Sequence, residues 1–219
     1  MLKNEATRNL EELEIGALDA SEVGEALGVV TRGMRDNPTH VAAFGEDPEV
    51  RARRIRRLFD GAFTGLDLQK HMLAARSADG AIIGVVGMLP PGECRPTIAQ
   101  QLRLLPRLLS TGPRAAGRAA SWMGTWAKHD PKERHWHLGP LAVDAHLQGM
   151  GIGSKLMRVF CAKMDAAGED AYLETDKLIN VRFYERFGFE VVSEQDVIGV
   201  TNWFMIRRAQ GKEVGQATT

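Results

Sequence analysis

Residues 143–154 have the sequence Val-Asp-Ala-His-Leu-Gln-Gly-Met-Gly-Ile-Gly-Ser, which joins the end of a strand to the start of a helix through a glycine-rich loop. An apolar, strand-like run ends at Val143, a loop with glycine at 149, 151 and 153 follows, and a helical pattern begins at once. The first turn of a helix leaves backbone N–H groups unpaired and carries partial positive charge. Glycine also lets a ligand approach the main chain closely. The stretch therefore predicts a binding site for a diphosphate group.

Two kinds of diphosphate-binding fold compete for this loop. Gly149, Gly151 and Ser154 approximate the GxGxxG/S pattern of dinucleotide-binding domains, and Glu174 follows ~20 residues later, where such domains carry an acidic residue. The chain ends at residue 219, however. The part after Gly153 is too short for the remainder of a doubly wound domain and a catalytic domain, so the dinucleotide interpretation is disfavoured.

Three motifs in order carry a resemblance to a known family. Residues 148–153 form Gln-x-x-Gly-x-Gly, residues 173–175 read Leu-Glu-Thr, and residues 180–189 read Asn-Val-Arg-Phe-Tyr-Glu-Arg-Phe-Gly-Phe. Together they resemble the GCN5-related N-acetyltransferases (GNAT), with the greatest likeness to puromycin N-acetyltransferase and its relatives, over about residues 135–207. The resemblance implies an α/β (α+β) fold. Its central sheet is mixed and mostly antiparallel, is flanked by helices, and contains a parallel strand pair that splays apart.

Strand and helix patterns alternate most clearly in the C-terminal half. Strands are predicted at 135–143, 171–174, 190–197 and 200–207, with helices at 151–167 and 179–187. This order implies a parallel pair at the centre of the sheet and antiparallel outer strands. In the N-terminal half, the predictions are a strand at 13–18, a helix stopped by Asn37-Pro38, a helix that begins at Asp47-Pro48, and a hairpin of 69–76 with 81–89.

Residues 93–131 differ from the strands on either side, because they are basic and helical in pattern. About 40 residues cannot bury a stable core alone. We therefore predict a helical insertion within a single domain that spans residues 1–210, followed by a polar, disordered tail at 211–219. Trp122 and Trp126 share one helical face. They are candidates either for a cover over a compact substrate or for ordinary core residues.

Composition excludes several classes of function. The 28 Lys+Arg residues balance 28 Asp+Glu residues, so no net field draws the chain to nucleic acid or to a membrane. Arginines between 51 and 57 are interpreted as the solvated face of an amphipathic helix rather than a nucleic-acid stripe. Cys94 and Cys161 are too few for a disulfide framework, and the chain shows neither a membrane-spanning run nor a secretion signal. We expect a cytoplasmic protein.

The resemblance implies acetyl-CoA as the cosubstrate. It places the pantetheine arm along the strand that ends at 143, the diphosphate on the glycine loop, and further cofactor contacts on the following helix. Pro140 independently predicts a bulge or a break in strand pairing. The implied cofactor-binding residues are Leu141, Ala142, Val143, Gln148, Gly149, Met150, Gly151, Ile152, Gly153, Ser154, Asn180 and Phe183.

The transfer needs two proton movements. An alkylamine has a pKa near ~10.4 and must lose a proton before it attacks a thioester, and the leaving thiolate benefits from a proton donor. The resemblance implies that Tyr184 is this donor, although core packing alone would also explain a tyrosine there. Glu174 is the first candidate for the base or for contact with the amine, with a structural role as the alternative. His137 is the other candidate base.

No metal is expected from the histidine pair in the strand. His135 and His137 share one face of that strand, but the sequence places no third ligand near them. A covalent acetyl-enzyme is likewise not expected, because that mechanism needs a cysteine with a basic partner. Cys161 is predicted to be buried within the helix that follows the glycine loop, and Cys94 lies in the insertion.

The leading hypothesis is therefore an N-acetyltransferase that acts on a primary amine of a small molecule, by direct attack in a ternary complex. The alternatives are a non-catalytic acyl-CoA-binding module and an acetyltransferase for protein lysines or N-termini. A homodimer is compatible with all three hypotheses.

Overall fold

The computed structural model describes residues 13–209. Two predictions lie outside these residues. They are the lack of a secretion signal at the N-terminus and the tail at 211–219. The strands are β1 (Glu14–Ala17), β2 (Met72–Arg76), β3 (Ile82–Leu89), β4 (His135–Val143), β5 (Asp170–Thr175), β6 (Glu190–Val197) and β7 (Val200–Arg207). The α-helices are α1 (Val23–Met34), α2 (Pro38–Phe44), α3 (Pro48–Asp60), α4 (Ile98–Leu109), α5 (Pro113–His129), α6 (Ile152–Ala167) and α7 (Leu178–Glu185).

The strands form one sheet in the order β1-β2-β3-β4-β5-β7-β6. Every neighbouring pair is antiparallel except β4 and β5, which run parallel. That parallel pairing is confined to His135–His137 against Asp170–Tyr172. Beyond it both strands continue without pairing to each other. The predicted mixed, mostly antiparallel sheet with a splayed parallel pair is confirmed.

A break in pairing interrupts the other side of β4. The register between β3 and β4 shifts between Val86 and Met88, opposite a cis peptide bond at Gly139-Pro140. A Cβ atom on Gly87 would collide with the carbonyl oxygen of Gly139, so glycine is required at this close approach. The irregularity predicted from Pro140 is confirmed.

Helices cover both faces of the sheet. On one face, α6 and α7 pack on an apolar cluster that includes Phe160, Leu173 and Tyr184. On the other face, α2 to α5 pack over Tyr172 and Phe204, and α1 packs beside them on the N-terminal strands. Because side chains alternate along a strand, Leu173 faces α6 and α7, whereas its neighbours on β5 face the other way.

The N-terminal half departs from prediction at Asn37-Pro38. The first helix does end there, at Met34, but the same dipeptide also begins α2, which the sequence analysis missed. Proline suits the first position of a helix, where no N–H donor is needed, and Asn37 has the extended backbone of an N-cap residue (φ −68°, ψ 137°).

The arginines of α3 also depart from prediction. Arg51, Arg54 and Arg57 donate to carbonyl oxygens at the C-terminal ends of α1, α2 and α4. Arg51 is only 5% exposed, and its guanidinium lies 2.7 Å from the carbonyl oxygens of both Arg35 and Gly45. A solvated face is therefore wrong for Arg51 and Arg54, because unpaired carbonyls and the negative end of a helix attract a guanidinium. Arg57 remains exposed, as predicted, although it also donates to such a carbonyl.

The helical segment predicted at 93–131 contains α4 and α5, separated at Gly112-Pro113. Trp122 is 5% exposed and packs edge-on against Trp126, with ring centroids 5.1 Å apart. The indole N–H of Trp126 donates to Asn202 Oδ1 over 2.9 Å. Both tryptophans therefore belong to the apolar core between the sheet and helices α2 to α5. Between residues 13 and 209, no helix has both the length and the apolarity needed to cross a membrane.

Candidate active site

A cleft opens in the sheet where β4 and β5 part after His137. On its outer side β4 stays paired with β3, so Leu141, Ala142 and Val143 lie opposite Val86, Val85 and Gly84. On its inner side, no strand among the described residues pairs with β4 over residues 138–143. An open strand edge of this kind can add an extended ligand by main-chain hydrogen bonds.

The glycine turn lies at one end of this cleft. Gly149 and Gly151 adopt positive φ values of 83° and 91°, and Gly151 caps α6 without a side-chain hydrogen bond. The amide of Lys155 donates to the carbonyl oxygen of Gly151 over 3.1 Å. The backbone amides of residues 151–154 find no acceptor within residues 13–209. They are the orphan donors of a helix start.

The side chain of Gln148 fixes the position of this turn. Its side-chain amide donates to the carbonyl oxygens of Gly33 (3.0 Å) and Val143 (3.2 Å), so it ties the turn to α1 and to the end of β4. A Cβ atom on Gly33 would collide with the carbonyl oxygen of Val143, which shows how closely α1 approaches. Asp144 is 5% exposed and accepts from Arg32 Nε over 2.9 Å. The turn is thus fixed by the protein itself.

The structure brings other predicted cofactor residues to the same place. A Cβ atom on Gly153 would lie 3.7 Å from the ring of Phe183 and from the side chain of Val143. Asn180 is half-buried in the first turn of α7, and its side chain makes no hydrogen bond within the described chain. Ile152 is 1% exposed and packs into the core, so only its backbone can face a ligand. Met150 and Ser154 are half-buried in the turn.

Tyr184 lies in the apolar cluster on the face covered by α6 and α7 and is 7% exposed. Its ring lies among aromatic side chains, 5.2 Å from Phe183 and 6.0 Å from Phe189 between centroids. No hydrogen-bond partner for its hydroxyl group exists in residues 13–209. Burial raises the pKa of Tyr184, and the nearby carboxylate of Asp176 raises it further. The phenol is therefore protonated at neutral pH.

Glu174 lies on the opposite face of β5, with a side chain that is 3% exposed. Its Oε2 atom accepts from His137 Nε2 over 3.0 Å. Burial alone would lower the pKa of His137, but the carboxylates of Glu174 and Asp130 outweigh it and raise that pKa well above its usual value. A protonated His137 is a donor, so this geometry disfavours His137 as the base and leaves Glu174 as the candidate.

A polar cluster that the sequence analysis did not find adjoins Glu174. It consists of Cys94, Asp130, His135 and His137. Asp130 Oδ1 lies 3.2 Å from His135 Nε2 and 3.3 Å from His137 Nδ1, and the sulfur of Cys94 and one nitrogen of each histidine lie within 4.8 Å of one another. Cys94 therefore has basic partners after all. No local signal announces this, since Cys94 and His135 are 41 positions apart.

Cys161, by contrast, is where the sequence predicted it to be. It lies within α6, is 8% exposed, and belongs to the apolar cluster on that face.

Comparison with known proteins agrees with this geometry. The family model described as the acetyltransferase (GNAT) family matches residues 42–189. The chain belongs to this family. The protein is therefore an enzyme of the acyltransferase class, as the motifs at 148–153 and 180–189 implied.

Solved structures share the fold of this GNAT enzyme at low sequence identity. A Corynebacterium glutamicum protein described as "histone acetyltransferase HPA2 and related acetyltransferase" is 21% identical, with a TM-score of 0.69; the alignment covers 90% of this chain and 96% of that one. The Drosophila melanogaster polyamine N-acetyltransferase is 12% identical, with a TM-score of 0.63 and coverage of 90% and 100%. Arylalkylamine N-acetyltransferase 2 from Aedes aegypti is 14% identical, with a TM-score of 0.57 and coverage of 90% and 99%.

Proposed function

We propose that this GNAT enzyme transfers an acetyl group from acetyl-CoA to the primary amine of a small molecule. The observation that carries the proposal is the set of unpaired backbone amides at residues 151–154, at the start of α6 and beside the open edge of β4. Such amides, with the positive end of the helix dipole, favour a diphosphate group.

The residues present fit coenzyme A. Gly149 and Gly151, both at positive φ, leave the turn without side chains that would block a diphosphate, and Gln148 holds the turn in place through Gly33. The free edge of β4 at residues 141–143 would take the pantetheine arm by main-chain hydrogen bonds. Met150 and Ser154 would border the diphosphate, and Asn180 and Phe183 the rest of the cofactor. Acetyl-CoA, when bound, supplies the activated acetyl thioester.

Glu174 takes the proton in this proposal. A primary amine arrives protonated, because its pKa of ~10.4 lies well above neutrality. The carboxylate of Glu174 stands beside the opening between β4 and β5, where it can bind the ammonium group and accept its proton directly or through a water molecule. The hydrogen bond from His137 fixes the orientation of that carboxylate.

Tyr184 donates a proton to the leaving thiolate in this proposal. It packs on the face of α6 and α7, whereas Glu174 lies on the opposite face. The two groups therefore approach the cleft from opposite sides of the sheet. Its protonated hydroxyl, free of protein partners among the described residues, can donate to the sulfur of the leaving thiolate. This arrangement suits direct attack by the amine in a ternary complex, with the rate gained from positioning both reactants.

A small amine is the proposed acceptor for two reasons. In this proposal the carboxylate of Glu174 is the recognition group, and a carboxylate suits an ammonium ion. Several structures that share the fold are described as acetyltransferases for polyamines, agmatine or arylalkylamines. We further propose a cytoplasmic enzyme, a monomer or homodimer with no nucleic-acid or membrane partner.

A thiol-release assay with acetyl-CoA and a panel of amines tests the proposal. The panel would contain polyamines, agmatine, arylalkylamines, amino-group antibiotics, and peptides with a free lysine or N-terminus. We expect acetyl-CoA to raise the melting temperature and at least one small amine to release coenzyme A. Binding without release by any amine would support a non-catalytic acyl-CoA module, release only with peptides would support a protein acetyltransferase, and no binding at all would contradict the proposal.

A further inference from the structure

Both ends of the α4–α5 segment converge on the same point of β4. Cys94 precedes α4, Asp130 directly follows α5, and both lie against His135 and His137. Arg95 adds an ion pair to Asp130 over 3.2 Å. Four groups that can bind a metal, from three separate parts of the chain, therefore meet where the segment joins the sheet.

Hydrogen bonds determine which nitrogen of each imidazole is free. His135 Nδ1 lies 2.8 Å from the carbonyl oxygen of Glu133, which can only accept, so Nδ1 carries a proton and Nε2 faces Asp130. His137 Nε2 donates to the carboxylate of Glu174. Within residues 13–209, His137 Nδ1 is buried without a hydrogen-bond partner, although Asp130 Oδ1 lies 3.3 Å away.

This pattern is the one that surrounds metal-bound histidines. A ligating histidine almost always donates its other ring N–H to a carboxylate or to a backbone carbonyl, which fixes the tautomer and the ring orientation. Glu174 and the carbonyl of Glu133 occupy those two outer positions. The inner nitrogens, His135 Nε2 and His137 Nδ1, lie 3.2 Å and 3.3 Å from the same oxygen of Asp130.

The types of donor atom and their burial indicate which metal would bind. One thiol and two imidazoles that approach within 4.8 Å of one another are borderline-soft donors, and four-coordinate sites built from such donors are typical of zinc. The side chains of His135 and Asp130 are each 7% exposed, and that of His137 is 18% exposed. The group is closed enough for a structural site rather than a surface one.

We propose that Cys94, His135 and His137 bind a zinc ion, with Asp130 as the fourth ligand. Binding forms four coordination bonds, releases the Cys94 thiol proton and any imidazolium protons to solvent, and changes no oxidation state. The ion would fasten both ends of the α4–α5 segment to β4 and hold His137 in its bond to Glu174. The proposal replaces the expectation of no metal, which depended on the lack of a third ligand, and it does not depend on acetyl transfer.

Cobalt substitution in the full chain tests the site. The reduced protein, stripped of metal with a chelator, is titrated with Co²⁺ and then with Zn²⁺. We expect saturation at one Co²⁺ per chain, ligand-field bands of a tetrahedral ion, a thiolate-to-cobalt charge-transfer band, and loss of all bands when zinc displaces cobalt. Cys94→Ser should lose the charge-transfer band and bind zinc at least about tenfold more weakly. Cys161→Ser, which removes the other cysteine, should behave as wild type.

Three results would overturn the zinc site: no saturable binding, an unchanged charge-transfer band in Cys94→Ser, or loss of the band in Cys161→Ser. Should Cys94→Ser fail to fold, X-ray absorption of the zinc-loaded wild-type protein decides the question. One sulfur at about 2.3 Å with nitrogens at about 2.0–2.1 Å supports the site. A shell of oxygen and nitrogen alone contradicts it, and the cluster is then a metal-free network of ion pairs.

Discussion

His137 Nε2 donates to Glu174 Oε2 over 3.0 Å, at the point where β4 and β5 separate. The parallel register sets this contact, because His137 lies opposite Tyr172 and Glu174 follows two residues later on the same face. The carboxylate is therefore oriented before any substrate arrives. One hydrogen bond joins the proposed proton acceptor to the proposed zinc site.

Glu174→Gln should abolish most of the activity while the fold survives. The amide oxygen of glutamine can still accept from His137, but it cannot take a proton, so we expect kcat to fall by about 10²–10⁴-fold with little change in the KM for acetyl-CoA. Steady-state thiol release measures both constants. Glu190→Gln, on the exposed part of β6, is the matched control. A kcat for Glu174→Gln within a few-fold of the control would remove Glu174 from the mechanism.

Tyr184→Phe should lower kcat by about 10²-fold or more, since the leaving thiolate loses its proton donor. Its melting temperature should change little, because the hydroxyl has no hydrogen-bond partner in the described chain. Tyr172→Phe is the control, as the chain has only two tyrosines. Among residues 13–209 the buried hydroxyl of Tyr172 has no hydrogen-bond partner, and burial and the nearby Glu174 carboxylate both raise its pKa. Its removal should therefore leave stability unchanged or raise it. Equal losses of kcat in both variants would argue against a specific role for Tyr184.

Gly33→Ala should displace the glycine turn, although residue 33 lies in α1 and not in the turn. The new methyl group collides with the Val143 carbonyl oxygen and pushes α1 away from Gln148, at a cost of about 1–3 kcal/mol in the free energy of unfolding. The affinity for coenzyme A should fall as well. Urea unfolding and calorimetric titration measure the two effects.

Gly24→Ala, in the same helix, provides the comparison for Gly33→Ala. A Cβ atom there meets nothing within 4 Å, so this variant should be neutral or more stable by about 0.5–1 kcal/mol. If both variants bind coenzyme A equally well, the contact between Gln148 and Gly33 does not position the turn.

Because of the buried His40 side chain, the free energy of unfolding should decrease in mild acid. Burial lowers the pKa of His40 to about 4, assisted by Lys177 and Arg51 and opposed by Asp176. Because its pKa in the folded state is below the usual value of about 6.5, its contribution is complete above pH 6.5 and is lost as pH falls toward 4. In His40→Phe, the decrease in unfolding free energy between these pH values should be smaller by about 1–3 kcal/mol. Equal slopes for wild type and variant would contradict the assignment.

Local patterns predicted the C-terminal half well. The glycine turn, the break at Pro140 and the burial of Cys161 each follow from residues close together in the chain, where turn chemistry and side-chain periodicity act directly. The bounds of β6 and β7 agree with the predicted strands. The helix start at Asp47-Pro48 was likewise predicted, and Asp47 accepts from the amides of Glu49 and Val50.

Contacts between distant segments could not be predicted in this way. Nothing near Gly33 signals that it lies against Val143, and nothing near Cys94 or Asp130 signals two histidines of β4. Such pairings depend on how the α4–α5 segment and α1 dock on the sheet, which a single sequence does not encode locally. The sequence therefore places His135 and His137 on one strand face without predicting a metal, while Cys94 and Asp130 join them only in the fold.

In the proposed function, the glycine turn presents its free amides to the diphosphate of coenzyme A. The most direct measurement is a titration of ¹⁵N-labelled protein with coenzyme A, followed through the backbone amide resonances of Gly149, Gly151, Ile152, Gly153 and Ser154. We predict that these resonances shift together and saturate at one equivalent, and that adenosine, which lacks the diphosphate, does not reproduce the shifts. If coenzyme A binds while these resonances stay unchanged, the account is contradicted.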